Sequence, residues 1–346
     1  MTSTAFRIGP YAISNRALVA PMAGVTDRPF RQLCKRLGAG YAVSEMASSN
    51  PRLLDSVETE RRTNHDGEAE PRAVQIVGAD PLAMADAARH NVARGAQIVD
   101  INMGCPARKV CNVAAGSALM EQERLALTIV EAVARAADVP VTVKLRTGPD
   151  TRRRNAVRLS RAFVDAGACM LVVHGRTRAC AFRGNAEYET IGEVKAAVRV
   201  PVVANGDIDS PEKAAQVLRL TGADAVMIGR AAQGRPWIFR QVTHYLETGE
   251  RLSDPDDETL RAALRTHLLD HYAFHGEARG VRSARKHVAW YLRAREGARE
   301  FLARFHALES ADEQLHAIDR WFARGGRATP RDRAANDILF RRSDAA

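Results

Sequence analysis

The chain has no CxxC pair, and its five cysteines (Cys34, Cys105, Cys111, Cys169 and Cys180) are scattered and odd in number. That argues against a disulfide framework and a structural zinc site, and fits a reducing compartment; no metal site is read from the sequence. No apolar run approaches the length needed to span a bilayer, and residues 1–25 carry no cleavable signal. The expectation is a soluble cytoplasmic protein with no membrane association. No short-period repeat is visible. Met22-Ala23-Gly24-Val25 is not the glycine-rich GxGxxG turn that an open dinucleotide-binding sheet usually carries. Acidic residues are in deficit: Asp+Glu number 41 against 51 Lys+Arg, a net charge of +10. Such a balance favours a polyanionic partner such as nucleic acid.

What is present is an alternation. Short Val/Ile-rich runs occur at Arg16–Met22, Tyr41–Met46, Ala73–Val77, Ile98–Asn102, Val141–Arg146, Met170–His174, Val202–Asn205 and Ala225–Ile228. Helical patterns separate them. Asp27 caps Asp27–Leu37, Asp80-Pro81 opens Pro81–Arg94, and Ser210-Pro211 places a serine N-cap before a proline at the first helical position. Eight strands with crossover helices predict an α/β fold, a (β/α)8 TIM barrel over residues 1–247. Beyond it the strand signal ends. Ser253–Glu258 reads as a polar linker into a helix, and Leu260–His275, Arg282–Arg293, Gly297–Ala307 and Asp312–Ala323 read as helices. Residues 248–324 are therefore expected to form a small all-helical domain, and 325–346 a disordered tail of mixed charge.

In a (β/α)8 barrel the chemistry sits at the C-terminal strand ends. Here those ends carry Pro21-Met22-Ala23-Gly24, Gln75, Asn102, Lys144 with Arg146, His174-Gly175-Arg176, Asn205-Gly206-Asp207 and Gly229-Arg230. Small residues after the first strand let a flat ligand lie against backbone. The loops after the last two strands commonly bind phosphate, so Gly206, Gly229 and Arg230 point to a phosphorylated cofactor. Lys144 could face the electron-rich edge of a flavin or form a Schiff base. Cys105 lies between Gly104 and Pro106, with Arg108 and Lys109 following. That context suits a thiol presented to a ligand, as acid or nucleophile, against the alternative of a packing cysteine. Arg108 and Lys109 could tune the sulfur or meet RNA phosphates. The other four cysteines read as small buried hydrophobes. In the helical region Arg279, Arg282, Arg285, Lys286, Arg293 and Arg295 recur at helical spacing with few acids, a pattern suited to phosphate contacts.

Long stretches resemble the flavin-dependent tRNA-dihydrouridine synthases, most closely the bacterial B subgroup. They are Ala20–Asp27, Ser44-Glu45-Met46, Val74-Gln75-Ile76, Asp100–Val110, His174–Arg178, Asn205–Ile208 and Met227–Trp237, in the family's order. The resemblance implies FMN on the barrel, NADPH as reductant, and reduction of a uridine C5–C6 bond in the tRNA D-loop. It implies Cys105 as the general acid. Pro21, Met22, Ala23, Gln75, Lys144, Asn205, Gly206, Asp207, Gly229 and Arg230 match FMN-contacting positions, and His174 the flavin-phosphate edge. Asn102, Arg176 and Arg178 match positions near the uridine or its backbone. Cys111–Ala115 departs from the family's pattern, lacking the basic residues often found there. The competing classes are a small-molecule FMN oxidoreductase, which needs no basic helical domain, and a flavin-free tRNA-binding scaffold. A monomer that binds tRNA without an obligate protein partner is expected.

Overall fold

The computed structural model describes residues 4–325. It opens with a feature the hydrophobic pattern did not reveal, an antiparallel hairpin of β1 (Phe6–Ile8) and β2 (Tyr11–Ile13). Eight parallel strands follow: β3 (Ala17–Val19), β4 (Tyr41–Ser48), β5 (Ala73–Val77), β6 (Ile98–Met103), β7 (Val141–Arg146), β8 (Ala168–His174), β9 (Val202–Asn205) and β10 (Ala225–Ile228). They close in chain order, with β10 pairing β3, so the expected (β/α)8 barrel is present. The strands are covered on both faces, so nearly every position is buried, including the polar Gln75, Asp100, Asn102, Thr142, Lys144 and Asn205.

The hairpin explains the geometry of the barrel floor. Phe6, Ile8 and Ile13 pack with Leu18, Tyr41, Ala73, Ile98, Met170, Val203 and Ala225, residues near the N-terminal ends of the strands. The hairpin thus closes the N-terminal mouth with side chains and leaves the polar strand ends at the other mouth. β3 is shorter than Arg16–Met22, although the Arg16 carbonyl still accepts from the Val226 amide (2.9 Å) and its guanidinium donates to the Asp224 and Ala223 carbonyls (2.6 and 2.8 Å). At the other end Pro21 has no N–H to donate, and the Met22 amide donates to Thr26 Oγ1 (2.8 Å).

The crossover helices are capped as the sequence indicates. Asp27 Oδ1 accepts from the Phe30 amide (3.1 Å), Asp80 Oδ1 from Ala83 (2.8 Å) and Ser210 Oγ from Lys213 (3.2 Å).

The chain divides into two compact units. One comprises the chain up to Ala232 together with Trp237–Leu252; the other comprises Gln233–Pro236 and the chain from Ser253. The short segment joins the second unit through a close backbone approach. Gly234 has φ +72°, and a Cβ there would come within 2.3 Å of the Trp290 backbone. Among the described residues four helices build this unit: Asp257–His275, Glu277–Leu292, Ala298–Phe305 and Ala311–Ala323. Asp256 caps the first and a Ser310/Glu313 capping box opens the last. The expected tail beyond Gly325 lies outside the described residues. No helix among the described residues is long and apolar enough to cross a membrane.

Candidate active site

Polar strand ends of the barrel meet in two connected networks. The first starts at Asp100, buried in the middle of β6. Its Oδ2 accepts from Gln75 Nε2 (2.7 Å) and its Oδ1 from Thr142 Oγ1 (2.5 Å). Gln75 Oε1 accepts from Asn102 Nδ2 (2.7 Å), and Asn102 Oδ1 accepts from the amides of Gly104 (3.1 Å) and Cys105 (2.9 Å). The direction of this relay is set at both ends. A carboxylate can only accept and two backbone amides can only donate, so neither intervening amide can flip without losing a buried bond. The loop is further held by Ser117, whose Oγ and N–H both donate to the Cys105 carbonyl (2.9 and 3.0 Å). Arg146 Nε donates to the Gly104 carbonyl (2.6 Å).

Cys105 is half-buried at the end of this relay. Burial pushes its thiol up, and the neighbouring Cys111 adds to that; the Ala107 amide, Arg146 and Lys144 pull the other way. The sulfur is therefore protonated at neutral pH. The cations acting on it are Arg146 and Lys144, while Arg108 and Lys109 are exposed on the short helix Arg108–Cys111. Cys34 is fully buried as expected, but Cys111, Cys169 and Cys180 are only partly covered, which corrects the reading of all four as buried hydrophobes. Cys111 ends the short helix Arg108–Cys111, its Sγ 3.6 Å from the Cys105 carbonyl and from Ser117 Oγ, and Cys180 lies in the turn after Thr177.

The second network is cationic. Lys144 Nζ donates to Asn205 Oδ1 (2.9 Å), and Asn205 Nδ2 donates to the Met227 carbonyl (2.8 Å). Burial, reinforced by Arg146, lowers Lys144 to about 8. The desolvation that a Schiff-base lysine requires is thus met, and the choice of role rests on its neighbours. Those neighbours are electropositive. His174 is held far below its ordinary value by burial and then by Lys144, Arg146, Arg176 and Arg230, so its ring is neutral. Arg176 Nη1 lies 3.4 Å from its Nε2. Asp100 acts on Lys144 from the first network, and Asp207 answers the arginines. Asp207 accepts from Arg176 (2.6 Å), Arg230 (3.1 Å) and the Ala186 amide (2.8 Å); burial works to raise it, but these donors hold it below the usual carboxylate range.

Two glycines here differ in cause. Gly206 has φ +126°, and a Cβ would sit 2.7 Å from Ala186 Cβ, so the protein's own packing demands glycine. At Gly229 a Cβ would make only ordinary contact with Met22 Sδ (3.6 Å) and Ala20 Cβ (3.7 Å). The protein leaves space there, beside the half-buried Met22 and exposed Ala23 of the turn after β3. That turn is tied to β4 by Glu45, whose Oε1 accepts from the Gly24 amide. Pro21 is half-buried in the same turn. Arg230 is exposed beyond Asp207.

Of the residues matched to the substrate side, Asn102 belongs to the relay. Arg176 is 4% exposed and committed to Asp207 and the Gly184 carbonyl (2.6 Å), so it positions Asp207 rather than facing solvent. Arg178 pairs with Glu121 (2.5 Å). In the helical unit Arg282 is exposed, and Arg285 and Lys286 are half-buried, one helical turn on. The helix ends at Leu292, and Arg295 pairs with Asp257 (2.6 Å), so the basic stripe does not continue through Arg295. Residues the sequence reading passed over are Asp100, Thr142 and Glu45 as partners. A carboxylate inside the apolar run Ile98–Met103 was the available signal, since a buried acid requires donors.

A model described as dihydrouridine synthase (Dus) matches residues 18–324. The chain belongs to the dihydrouridine synthase family. Within that family it is 58% identical over 317 residues to the tRNA-dihydrouridine synthase B of Pseudomonas aeruginosa, covering 92% of this chain and 96% of that protein. It is 56% identical over 316 residues to the enzyme of the same name from Xanthomonas axonopodis, with 91% and 95% covered. Dihydrouridine synthases are flavin-dependent oxidoreductases, and the barrel agrees with that class. An old yellow enzyme homologue from Zymomonas mobilis superposes with a TM-score of 0.51 at 16% identity, over 74% of this chain and 94% of that one. Morphinone reductase in complex with tetrahydroNAD gives 0.52 at 16% identity, over 75% and 94%. At that identity these two structures share the fold alone.

Proposed function

We propose that this chain reduces the C5–C6 bond of specific uridines in the tRNA D-loop to 5,6-dihydrouridine, with FMN as cofactor and NADPH as reductant. The observation that carries the reading is the relay from Asp100 through Gln75 and Asn102 to the Cys105 backbone, which ends at a protonated thiol. The names of the B-type relatives support tRNA as substrate.

The donor set suits FMN. Arg230, together with the backbone at Gly206 and Gly229, would hold the phosphate, beside a His174 kept neutral by burial and then by the surrounding cations. Lys144, fixed by Asn205, would stand against the electron-rich edge of the ring, and the Gln75 and Asn102 amides beside it. Pro21, Met22 and Ala23, with the space at Gly229, offer a flat apolar wall. Asp207 holds Arg230 and Arg176 in place. When bound and reduced, FMN supplies a hydride to the uracil ring.

Saturating the ring also needs a proton at C5, and Cys105 Sγ supplies it. The raised thiol keeps that proton through neutral pH, the relay and Ser117 hold the loop backbone, and solvent reprotonates the sulfur. Arg282, Arg285 and Lys286 would position tRNA through its phosphates, with Arg178 nearer the reacting nucleotide. Mapping dihydrouridine across the tRNAs of a strain lacking the gene tests the reading. D-loop positions should lose the modification, and the wild-type gene but not Cys105→Ala should restore it. An unchanged map would sink the proposal.

A further inference from the structure

Among the histidines of the helical unit, none of which the uridine chemistry uses, His267, His271 and His287 form a buried cluster, and the half-buried His275 lies beside His271 (ring centroids 4.4 Å). His267 and His271 are four residues apart on helix Asp257–His275, so both project from one face. His287 comes from helix Glu277–Leu292, which follows directly after Gly276. All three are at most 1% exposed, among Leu264, Leu268, Ala284 and Val288. Three polar rings side by side are an unusual filling for a helix–helix core, where Leu or Ile would pack without polar atoms.

Their geometry is convergent. Each ring offers one nitrogen, and these nitrogens lie within 4.8 Å of one another. The ring centroids are 4.7 Å (His267–His287), 5.0 Å (His271–His287) and 6.1 Å (His267–His271) apart, all edge-on rather than stacked. Imidazoles bound to zinc at roughly 2.0–2.1 Å place their nitrogens roughly 3.3–3.5 Å apart, so small side-chain rotations close the set.

The tautomer of His271 is fixed by its surroundings. Ser283 Oγ lies 2.7 Å from His271 Nε2. The single hydroxyl proton of Ser283 is given to the helix carbonyls of Arg279 (2.8 Å) and Gly280 (3.3 Å). With that proton on the Arg279 carbonyl, the serine oxygen accepts from Nε2–H, the tautomer that puts the lone pair of His271 on Nδ1. An imidazole that donates one nitrogen to an outer oxygen and turns the other inward is the arrangement that metal-ligating histidines adopt. Tyr291 stands in the same relation to His267, its hydroxyl 3.4 Å from Nδ1.

We propose that His267, His271 and His287 form a binding site for a divalent transition-metal ion, zinc by the match of three imidazoles to its preferences. Water completes a tetrahedral set in the fourth position. The ion clasps the two helices, and its binding free energy adds to the stability of the helical unit. The absence of CxxC pairs excluded only a thiolate site. Two histidines four apart were the sequence signal, and the third ligand lies 16 residues beyond His271.

The test uses the tag-free, full-length flavoprotein, stripped with chelator and dialysed against zinc ion alone. One equivalent of zinc should remain bound, and X-ray absorption at the zinc edge should show a nitrogen/oxygen shell. His271→Leu should abolish that equivalent. Should His271→Leu fold poorly by circular dichroism, Ser283→Ala decides the matter, because it keeps all three imidazoles. Loss of the outer oxygen should weaken zinc affinity by about 10- to 100-fold. A sulfur shell, no stoichiometric zinc, or undiminished affinity in Ser283→Ala would each overturn the assignment.

Discussion

Asp100 offers the sharpest test of how the barrel interior is built. Burial raises its carboxyl to about 6 from 3.8, against the opposing pull of Gln75, Thr142 and Lys144. A carboxyl whose folded pKa is raised binds more protons in the native state than in the unfolded chain between about pH 4 and 6. Stability from this group is therefore lost as pH rises through that window, and the loss is complete above it. Two pKa units correspond to about 3 kcal/mol. Asp100→Asn removes the titration while keeping the relay. Its Oδ1 can still accept from Gln75, and its Nδ2 can donate to Thr142 Oγ1, which rotates to accept. Urea unfolding of both proteins at pH 4 and pH 7.5 measures the effect. The variant should gain about 2–3 kcal/mol on the wild type between the two conditions, with dihydrouridine formation retained. Asp100→Leu is the contrast. It strands the Gln75 Nε2 donor in a position 1% exposed, costs about 1–3 kcal/mol, and frees the amide to turn away from Asn102. Parallel pH profiles for wild type and Asp100→Asn would refute the account of a costly buried charge. Full activity in Asp100→Leu would refute the directional relay.

Cys105→Ala should keep flavin binding and its reduction by NADPH but lower dihydrouridine formation about 10²- to 10⁴-fold in single-turnover assays, the usual worth of a placed acid; ordinary turnover would remove the thiol from the mechanism. Gly206→Ala should destabilise the barrel by more than 1 kcal/mol in denaturant melts, from the positive φ and the 2.7 Å approach to Ala186, whereas Gly229→Ala should melt like wild type and show its loss in FMN affinity. Charge reversal at Arg282 together with Arg285 should raise the KM for tRNA and flatten its salt dependence while flavin reduction by NADPH stays constant; equal damage to both half-reactions would mean simple unfolding. Asp207→Asn should loosen Arg176 and Arg230 and weaken FMN affinity in a flavin-release titration, while His174 stays neutral because burial is the first cause of its low value; unchanged FMN affinity would show that these cations do not depend on Asp207.

Much of this architecture was written in local pattern. Runs such as Ala73–Val77 and Val141–Arg146 coincide with strands: short, Val-rich and bounded by turn residues, they are too short for a helix, and both faces of a parallel barrel strand are covered, so even their polar members are buried. Helix starts at Asp27, Asp80 and Ser210 were legible because capping is decided by residues within one turn. The N-terminal hairpin was not, since three-residue strands carry too little periodicity to stand out. The segment Gln233–Pro236 belongs with the helical unit through the Gly234 approach to Trp290, a relation between positions far apart in the chain.

The sequence by itself determined the eight-strand alternation, the helical C-terminal region, the family and the rim residues that carry chemistry, because each is encoded in short-range spacing and residue type. Only the tertiary structure decided how those residues divide their work. It turned Arg176 and Asp207 inward onto each other, set the relay direction from Asp100 to Cys105, and brought Arg146 and Lys144 from β7 close enough to act on the thiol. It also brought His287 to the His267–His271 face. Hydrogen-bond direction and desolvation depend on which atoms meet after the chain has closed on itself, and spacing along the chain holds no record of that.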